Sequence, residues 1–313
     1  MALAFTFPGQ GSQSVGMGSA LIEAYPAARE VFEAVDDALG EKLSKVMAEG
    51  PKEELTLTEN AQPAIMAVSV AAMRALKAEF GVDVTAAKFV AGHSLGEYAA
   101  LCAAGALTLE DAAKLLKLRG QAMQRAVPVG QGAMAALLGA DASQVESAVD
   151  AGKGEGVVTI ANDNAPGQIV ISGAKAAVEA ALAAAKDQGV RKAMMLDVSA
   201  PFHCPLMLPA ADAMREALDE VTIHAPRTPV VTNVSAEAVA DPETIRGQLV
   251  EQVTGKVRWR ESVDYMHGWG VSRFAEAGAK VLTPMIKRHI KEAEGVALVQ
   301  PDHLEAFAET MKG

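Results

Sequence analysis

Cysteine, aromatic residues and positive charge are all scarce in this chain, and each scarcity narrows the choice of function. The 313 residues include only two cysteines, Cys102 and Cys204, too few for a disulfide framework or a cysteine-based metal site. Aromatic residues make up 4% of the chain, so alanine and valine supply much of its apolar content. The formal net charge of -11 argues against binding nucleic acid through a basic patch. We therefore expect no bound metal and no nucleic-acid partner.

Targeting and membrane-spanning segments are also missing from the sequence. The N-terminus has no basic stretch followed by an apolar one, so we predict no signal peptide. The most apolar windows, such as Ala61–Leu76, have helical periodicity and are too short and too interrupted to span a membrane. Hydrophobic residues make up 50% and charged residues 21%, which is typical of a globular protein with a large core. These features predict a soluble, cytoplasmic protein with no membrane partner.

A glycine-rich loop near the N-terminus lacks the residues that bind nucleotides. The loop covers Pro8–Gln13 and follows a predicted buried strand at Leu3–Phe7. It has neither the Gly-Lys-Ser/Thr ending of a phosphate-binding loop nor the Gly-x-Gly-x-x-Gly spacing of a dinucleotide-binding loop. It does place two glutamine amides, Gln10 and Gln13, where the first strand ends. Because active sites of parallel sheets lie at this edge, the loop is a candidate part of an active site.

The order of predicted strands and helices indicates an α/β fold with two parts. An amphipathic helix over 61–80 and a strand at Lys88–Ala91 begin an alternation that favours a mostly parallel sheet covered on both faces. Residues 128–197 have the order β-α-β-β-α-β, which is that of a ferredoxin-like unit. We predict an inserted subdomain over 128–197 and a core formed by 1–127 and 198–313. The alternative is that the strands of this segment extend a single sheet.

Further elements are predicted from the same apolar periodicity. The predicted helices are Leu109–Arg125, Ala142–Ala151, Ala174–Gln188, Leu206–Glu220, 242–253, 259–268 and Lys280–Lys291, and the predicted strands are Gly132–Leu138, Val157–Ala161, Gln168–Ser172, Lys192–Leu196, Val230–Asn233 and Val271–Phe274.

Residues Gly92–Gly96 have the form Gly-x-Ser-x-Gly, which suits a sharp turn between a strand and a helix. The glycines remove side chains that would clash, and Ser94 is placed at the tip of the turn. Backbone N–H groups at the start of the following helix can stabilise a developing oxyanion. An ordinary Gly/Ser turn is the alternative, but the apolar strand before the motif and the helical run after it favour a nucleophilic serine.

A serine hydroxyl needs a base to take its proton, and His203 is the best candidate among six histidines. It lies between Pro201 and Pro205 in a loop that follows a predicted strand, which can fix the imidazole ring in place. A hydrolase triad would have an acid after the serine and a histidine near the C-terminus. About a third of the chain follows His203, Asp197 lies upstream of it, and the sequence contains no Asp-Gly motif of the kind used with a serine by patatin-like enzymes. The sequence therefore favours neither a hydrolase triad nor a patatin-like pair of serine and aspartate.

Several motifs together resemble those of a known family. The motifs are Phe-Pro-Gly-Gln-Gly-Ser-Gln at 7–13, Gly-His-Ser-Leu-Gly-Glu at 92–97, Lys-Leu-Arg-Gly around Arg119, Asn-Asp-Asn-Ala-Pro-Gly-Gln at 162–168, Ala-Pro-Phe-His at 200–203 and Asn-Val-Ser at 233–235. The chain resembles, over essentially its whole length, the malonyl-CoA:acyl carrier protein transacylases of fatty acid synthesis and the acyltransferase domains of polyketide and animal fatty acid synthases. The resemblance implies a hydrolase-like α/β core with a ferredoxin-like subdomain.

The resemblance also implies a role for particular residues. Ser94 would carry the acyl group as an ester, and His203 would act as general base and then as general acid. Gln10 and the backbone N–H of Leu95 would form the oxyanion hole. A backbone carbonyl near Gln252 would orient the histidine, although the sequence alone favours a solvated glutamine at a helix end.

Two further residues would select the substrate. The resemblance implies that Arg119 binds the free carboxylate of malonyl. Independently, its apolar neighbours Leu115, Leu116 and Ala122 suggest a buried arginine that needs an anionic partner. Phe202 would crowd a methyl branch at the acyl α-carbon, or would simply anchor its loop. The implied partners are malonyl-CoA and acyl carrier protein, and no cofactor beyond the coenzyme A thioester is implied.

Three functions follow from these residues. The first is malonyl transfer from coenzyme A to the phosphopantetheine thiol of acyl carrier protein, with one site used alternately, which would supply extender units for fatty acid or polyketide synthesis. The second is a serine hydrolase or thioesterase, which would need a carboxylate orienter and has no use for Arg119. The third is an inactive scaffold, which would need no nucleophile and base.

Overall fold

The structure, a computed structural model, describes residues 2–312, within which ten strands form two separate sheets. The strands are β1 (Ala2–Phe7), β2 (Phe89–Gly92), β3 (Gly132–Leu138), β4 (Val158–Ala165), β5 (Gln168–Ala174), β6 (Lys192–Met195), β7 (Val230–Val231), β8 (Ala238–Val239), β9 (Val271–Ala277) and β10 (Glu294–Leu298). The helices are α1 (Ser19–Ala24), α2 (Pro26–Leu39), α3 (Leu43–Glu49), α4 (Lys52–Thr56), α5 (Thr58–Phe80), α6 (Gly96–Ala103), α7 (Leu109–Ala126), α8 (Ala142–Gly152), α9 (Lys175–Asp187), α10 (Leu208–Asp219), α11 (Pro242–Thr254), α12 (Trp259–Gly268), α13 (Leu282–His289) and α14 (Pro301–Met311).

The larger sheet has the order β10-β9-β1-β2-β7-β8 and is parallel except for the β7–β8 pair. The predicted mostly parallel α/β sheet is therefore confirmed. Strands β1 and β2 are neighbours, and Phe7 at the end of β1 is in register with Gly92 at the end of β2. The glycine-rich loop and the serine turn consequently start side by side at the carboxyl edge of the sheet, where parallel sheets place their sites.

The smaller sheet has the order β4-β5-β3-β6 and is antiparallel throughout. Its elements follow the predicted order β-α-β-β-α-β, and helices α8 and α9 pack with it around an apolar cluster of their own that includes Val145, Ile171 and Leu182. The alternative in which these strands extend a single sheet is wrong.

Strand β4 is longer than the predicted Val157–Ala161, because its second half continues to pair with β5, and this half also contacts the core. Asp163 donates its backbone N–H to Val257 at 3.0 Å, and Val257 donates to Ala161 at 2.8 Å. The Asp163 carboxylate also accepts hydrogen bonds from Arg260 of α12. These contacts fix the small sheet to the core, and local periodicity could not predict them because Val257 and Arg260 lie far away in sequence.

Helix α5 is buried on all sides rather than amphipathic, so that part of the prediction is wrong. Apart from Glu59 and Arg74, its residues are buried from Thr58 to Leu76. A helix that is apolar around its whole circumference lies inside a protein. Two of its buried polar side chains form hydrogen bonds inside the protein: Asn60 donates to the carbonyl of Glu54, and Gln62 accepts from Arg119.

The boundaries of several C-terminal elements differ from those predicted. Strand β7 is confined to Val230–Val231, β9 extends to Ala277, and α13 covers only Leu282–His289. Three C-terminal elements were not predicted: the short edge strands β8 and β10, whose exposed side chains weaken the alternation, and α14, which starts at Pro301. No helix within residues 2–312 has the length and apolar character needed to cross a membrane.

Candidate active site

The serine turn depends on both of its glycines. A Cβ atom on Gly92 would lie 1.9 Å from the carbonyl oxygen of Gly96, and one on Gly96 would lie 2.2 Å from the carbonyl oxygen of Phe7. Ser94 itself has a positive φ of 54°, a conformation that costs a non-glycine residue about 1–3 kcal/mol. Such strain persists where the surrounding structure imposes it, and here it presents the hydroxyl at the carboxyl edge of the sheet.

The side chain of Asn233 forms two hydrogen bonds with the backbone of this turn. Its side-chain oxygen accepts the backbone N–H of Ser94 at 2.7 Å, and its side-chain nitrogen donates to the carbonyl of Gly92 at 2.6 Å. His93 makes no hydrogen bond with the Ser94 hydroxyl, and its Nε2 contacts Asn164 Oδ1 of β4 at 2.8 Å. The turn is thereby tied to both sheets.

Ser94 and His203 are in hydrogen-bond contact. Ser94 Oγ lies 2.8 Å from His203 Nε2, and His203 Nδ1 lies 2.9 Å from the carbonyl oxygen of Gln252. Because a carbonyl only accepts, Nδ1 carries the proton, which leaves Nε2 free to accept from the serine hydroxyl. The histidine is 4% exposed, and burial together with the nearby Arg119 guanidinium lowers its pKa to about 3. The imidazole is therefore neutral at pH 7 and ready to act as a base.

Gln252 is completely buried, so the interpretation of a solvated glutamine at a helix end is wrong. It lies in the last turn of α11, where backbone carbonyls have no partner within the helix. The end of α11 points into the site instead of into water, and the free carbonyl of Gln252 becomes the acceptor for His203. This explains how the histidine is oriented without a carboxylate.

Arg119 lies midway along α7, is 1% exposed, and contacts only neutral acceptors. Its guanidinium donates to Gln62 Oε1 at 2.8 Å, to Gln252 Oε1 at 2.8 Å and to Ser94 Oγ at 3.1 Å. Its Nε has no partner within residues 2–312. Burial lowers the pKa of the guanidinium, an effect that Tyr98 and Glu97 oppose. A buried cation without a contacting anion can accept an anionic ligand, as the sequence suggested.

Two backbone N–H groups near the nucleophile are free to bind an oxyanion. Among the described residues, neither Leu95 N–H nor Gln10 N–H has a hydrogen-bond acceptor. The loop that carries Gln10 lies against the turn, since a Cβ on Gly9 would approach the carbonyl oxygen of His93 to 2.8 Å. The Gln10 side chain donates weakly to Thr58 Oγ1 at 3.4 Å. Free backbone N–H donors next to a serine nucleophile are what an acyl-transfer site needs.

These groups line one cavity of about 270 Å³ between the two sheets. Its polar end is formed by Gln10, Ser94, Arg119 and His203, while Phe202 and Met285 belong to its apolar wall. No three His, Cys, Asp or Glu side chains within residues 2–312 are grouped so that they could hold a metal ion. Leu95 and Gln252 do not line this cavity, although each is adjacent to a residue or side chain that does.

Three residues of this site were not given a role from the sequence: Gln62, Glu97 and Asn233. Gln62 interrupts an otherwise apolar helical run, and Glu97 lies three residues after the nucleophile in a segment that is otherwise apolar. A polar side chain in an apolar run is the only local signal for either of them. Asn233 belongs to one of the motifs behind the family resemblance, but its contact with the serine turn depends on tertiary packing.

Known proteins of similar sequence and fold identify the family of this chain. The chain is 45% identical over 312 residues to the malonyl CoA-acyl carrier protein transacylase of Bacillus subtilis, covering 99% of this chain and 97% of the relative. A solved acyl-carrier-protein-S-malonyltransferase from Bartonella henselae superposes with a TM-score of 0.97 at 51% identity, with complete coverage of both chains. A type II PKS acyl-carrier protein in complex with its malonyl-transacylase gives a TM-score of 0.95 at 39% identity, covering 99% of this chain and 100% of that one. Residues 4–311 match the model of the acyl transferase domain, and the chain belongs to this family.

Proposed function

We propose that this protein is an [acyl-carrier-protein] S-malonyltransferase, which moves a malonyl group from coenzyme A to the phosphopantetheine thiol of acyl carrier protein. The observation that carries this proposal is the Arg119 guanidinium in the same cavity as the Ser94–His203 pair, 3.1 Å from the nucleophile. The names of the relatives, and the solved complex of a malonyl-transacylase with its carrier protein, support it. The product supplies extender units for fatty acid biosynthesis.

The first half-reaction forms a malonyl ester on Ser94. Ser94 Oγ attacks the thioester carbonyl while His203 Nε2 takes the hydroxyl proton. The negative charge on the carbonyl oxygen is stabilised by the N–H groups of Gln10 and Leu95, each donor of this kind being worth ~3–4 kcal/mol. When the intermediate collapses, the carbon–sulfur bond breaks and the imidazolium returns its proton to the leaving thiolate of coenzyme A.

The second half-reaction runs the same steps in reverse with a different thiol. His203 takes the proton of the phosphopantetheine thiol, the thiolate attacks the Ser94 ester, and the proton passes back to Ser94 Oγ as the ester bond breaks. The Gln252 carbonyl keeps the imidazole in one orientation through both halves. One site that serves two thiols in turn requires ping-pong kinetics. These side chains supply all of the acid–base and nucleophilic chemistry, so we propose no metal and no prosthetic group.

Arg119 binds the free carboxylate of the malonyl group in this scheme. Its planar guanidinium can form two parallel hydrogen bonds with a carboxylate, a geometry that lysine lacks. Because its present partners are all neutral, a malonyl carboxylate would be its first anionic contact. This contact favours malonyl over acetyl and holds the ester in place until the thiol arrives.

The finer description of the fold belongs to the same proposal. We assign residues 1–127 and 198–313 to a hydrolase-like core and residues 128–197 to a ferredoxin-like subdomain. The antiparallel order β4-β5-β3-β6, with two helices packed on the sheet, supports the second assignment. The serine turn after a central parallel strand supports the first.

Intact-mass measurement tests the proposed function directly. After mixing with malonyl-CoA, we expect a stable malonyl adduct that digestion places on the peptide containing Ser94 and that added holo acyl carrier protein removes. Steady release of free malonate without an accumulating adduct would identify a hydrolase instead. If neither an adduct nor turnover is found, the protein is a binding scaffold.

Phe202 is expected to exclude branched acyl groups, since it lines the cavity beside His203. Phe202→Ser removes the ring that would crowd an α-methyl group, so the ratio of methylmalonyl to malonyl transfer should rise about tenfold or more. Competition between the two coenzyme A thioesters, with both products quantified by mass spectrometry, measures this ratio. Phe202→Leu retains much of the bulk and should give an intermediate value. An unchanged ratio in the serine variant would mean that the ring only anchors its loop.

A further inference from the structure

Glu97 is a completely buried carboxylate that the transfer steps do not use. It lies in the first turn of α6 and makes no contact with a cation. Its Oε2 accepts from the backbone N–H of Asn233 at 2.8 Å and from Gln252 Nε2 at 3.1 Å, whereas its Oε1 has no partner within residues 2–312. Burying a carboxylate this way is costly, so a specific use must offset the cost.

Two acceptors, Glu97 Oε2 and the carbonyl of Ser94, determine which way the Gln252 amide faces, and Glu97 is the only side chain of the two. Oε2 can only accept from this neighbour, so Gln252 must turn its NH₂ group toward Glu97. The amide oxygen is then directed at Arg119, which donates to it at 2.8 Å. Burial raises the pKa of Glu97 to about 7, and Oε2 remains an acceptor in both forms because a proton can reside on the partnerless Oε1.

Gln252 connects this carboxylate to the parts of the site that touch substrate. Its Nε2 also donates to the carbonyl of Ser94 at 3.1 Å, and its own carbonyl accepts from His203. A flipped amide would place its NH₂ beside the guanidinium, remove one of the three acceptors of Arg119 and repel it. A carboxylate in direct contact with Arg119 would avoid the flip, but it would occupy the group that the substrate needs.

We propose that Glu97 is a positioning residue that acts through Gln252. Glu97 holds the Gln252 amide in the one orientation that offers its oxygen to Arg119. The guanidinium is thereby kept in place for an acyl carboxylate, although Glu97 does not itself pair with the guanidinium. This rests on the proposed malonyl transfer. The effect is larger for substrates that carry a carboxylate, because an acetyl group has no carboxylate to bind Arg119 and is affected only through the contact of Arg119 with Ser94 Oγ.

Kinetic comparison of malonyl-CoA and acetyl-CoA tests this role with Glu97→Met and Glu97→Gln. Methionine cannot accept the Gln252 amide, so the malonyl-to-acetyl ratio of kcat/KM should fall about tenfold, mainly through a higher KM for malonyl-CoA. Glutamine keeps an acceptor oxygen in place of Oε2 and should retain most of the ratio. Equal ratios in the wild type and Glu97→Met, or equal loss in both variants, would overturn the proposal.

A double-mutant cycle with Gln252→Met keeps the test decisive if Glu97→Met alone folds poorly. Gln252→Met removes the amide but retains the backbone carbonyl that orients His203. The Met/Met pair removes both partners of the Glu97–Gln252 hydrogen bond, and the backbone N–H of Asn233 loses its acceptor equally in both variants that lack Glu97. If Glu97 acts through this amide, the double variant has the same ratio as Gln252→Met alone. A further drop in the double variant contradicts the relay.

Asp36→Asn provides the matched control. Asp36 is another buried carboxylate, bonded to Ser44 and remote from the cavity, so its replacement should lower the melting temperature and leave the ratio unchanged. Failure of the wild type to form a malonyl adduct would refute the proposed function. Normal malonyl transfer with an insensitive ratio would refute only the role of Glu97.

Discussion

Replacing His203 with alanine is expected to slow malonyl transfer by ~10²–10⁴-fold, which is the usual contribution of a positioned general base. Ser94 Oγ would lose the acceptor that lies 2.8 Å away, while the backbone N–H groups of Gln10 and Leu95 would remain. Residual activity should therefore survive above background. Stopped-flow measurement of coenzyme A release gives the acylation rate, and its burst phase separates acylation from transfer to the carrier protein.

Two variants frame this measurement. Ser94→Ala has no hydroxyl to acylate and defines the background rate. His303→Ala changes an exposed histidine in α14 and should behave like the wild type. If His203→Ala acylates at the wild-type rate while remaining folded by circular dichroism, His203 is not the base.

The pH dependence of the His203 step follows from its surroundings. Burial, followed by the charge of Arg119, lowers the pKa of His203 to about 3, so the base form persists through the range where an ordinary histidine takes up a proton. We expect acylation by acetyl-CoA, which bypasses the carboxylate contact, to stay level as the pH falls through 6.5. The contribution of His203 to the free energy of unfolding changes with pH in the opposite direction to that of a salt-bridged histidine. Because the unfolded chain binds a proton at His203 that the folded chain does not, the fold is progressively destabilised as the pH falls from about 6.5 toward 3.

The parts of the site that were predictable are those that local geometry dictates. A Cβ on Gly92 or Gly96 would collide with backbone, so the turn can be built only with this spacing, and the spacing is visible in the sequence. Proline on both sides of His203 is visible in the same way. The nucleophile and the candidate base could therefore be named, together with the alternation of strands and helices that leads to them.

The remaining parts depend on contacts between distant segments. Gln252 was interpreted as solvated because helix ends usually face water, and only the packing of α11 turns its last carbonyls inward. Glu97 received no role because its partner amide lies 155 residues away. The contact of β4 with the core is not predictable for a similar reason, since its partner Val257 belongs to a distant segment.

Replacing Arg119 with methionine is expected to lower kcat/KM for malonyl-CoA roughly 30- to 5000-fold. This corresponds to a loss of ~2–5 kcal/mol, the usual cost of removing one partner of a buried, charged hydrogen bond. Methionine is similar in length and fills most of the space without charge. Because Arg119 also donates to Ser94 Oγ, some loss with acetyl-CoA is expected as well. A fall in the malonyl-to-acetyl ratio of kcat/KM is therefore the result that specifically indicates carboxylate binding.

Arg119→Lys and Arg246→Met separate charge from geometry in this experiment. Lysine keeps the charge but cannot form the two-pronged contact, so its ratio should lie between those of the wild type and Arg119→Met. Arg246, on α11 and outside the lining of the cavity, pairs with Glu243 and donates to the carbonyl of Val221, which makes Arg246→Met a control for removing an arginine that cannot reach the substrate. A ratio that is equal in the wild type and Arg119→Met would place the malonyl carboxylate elsewhere. The three neutral acceptors around Arg119 argue against that result, because they fix the guanidinium while leaving its charge uncompensated by any direct contact.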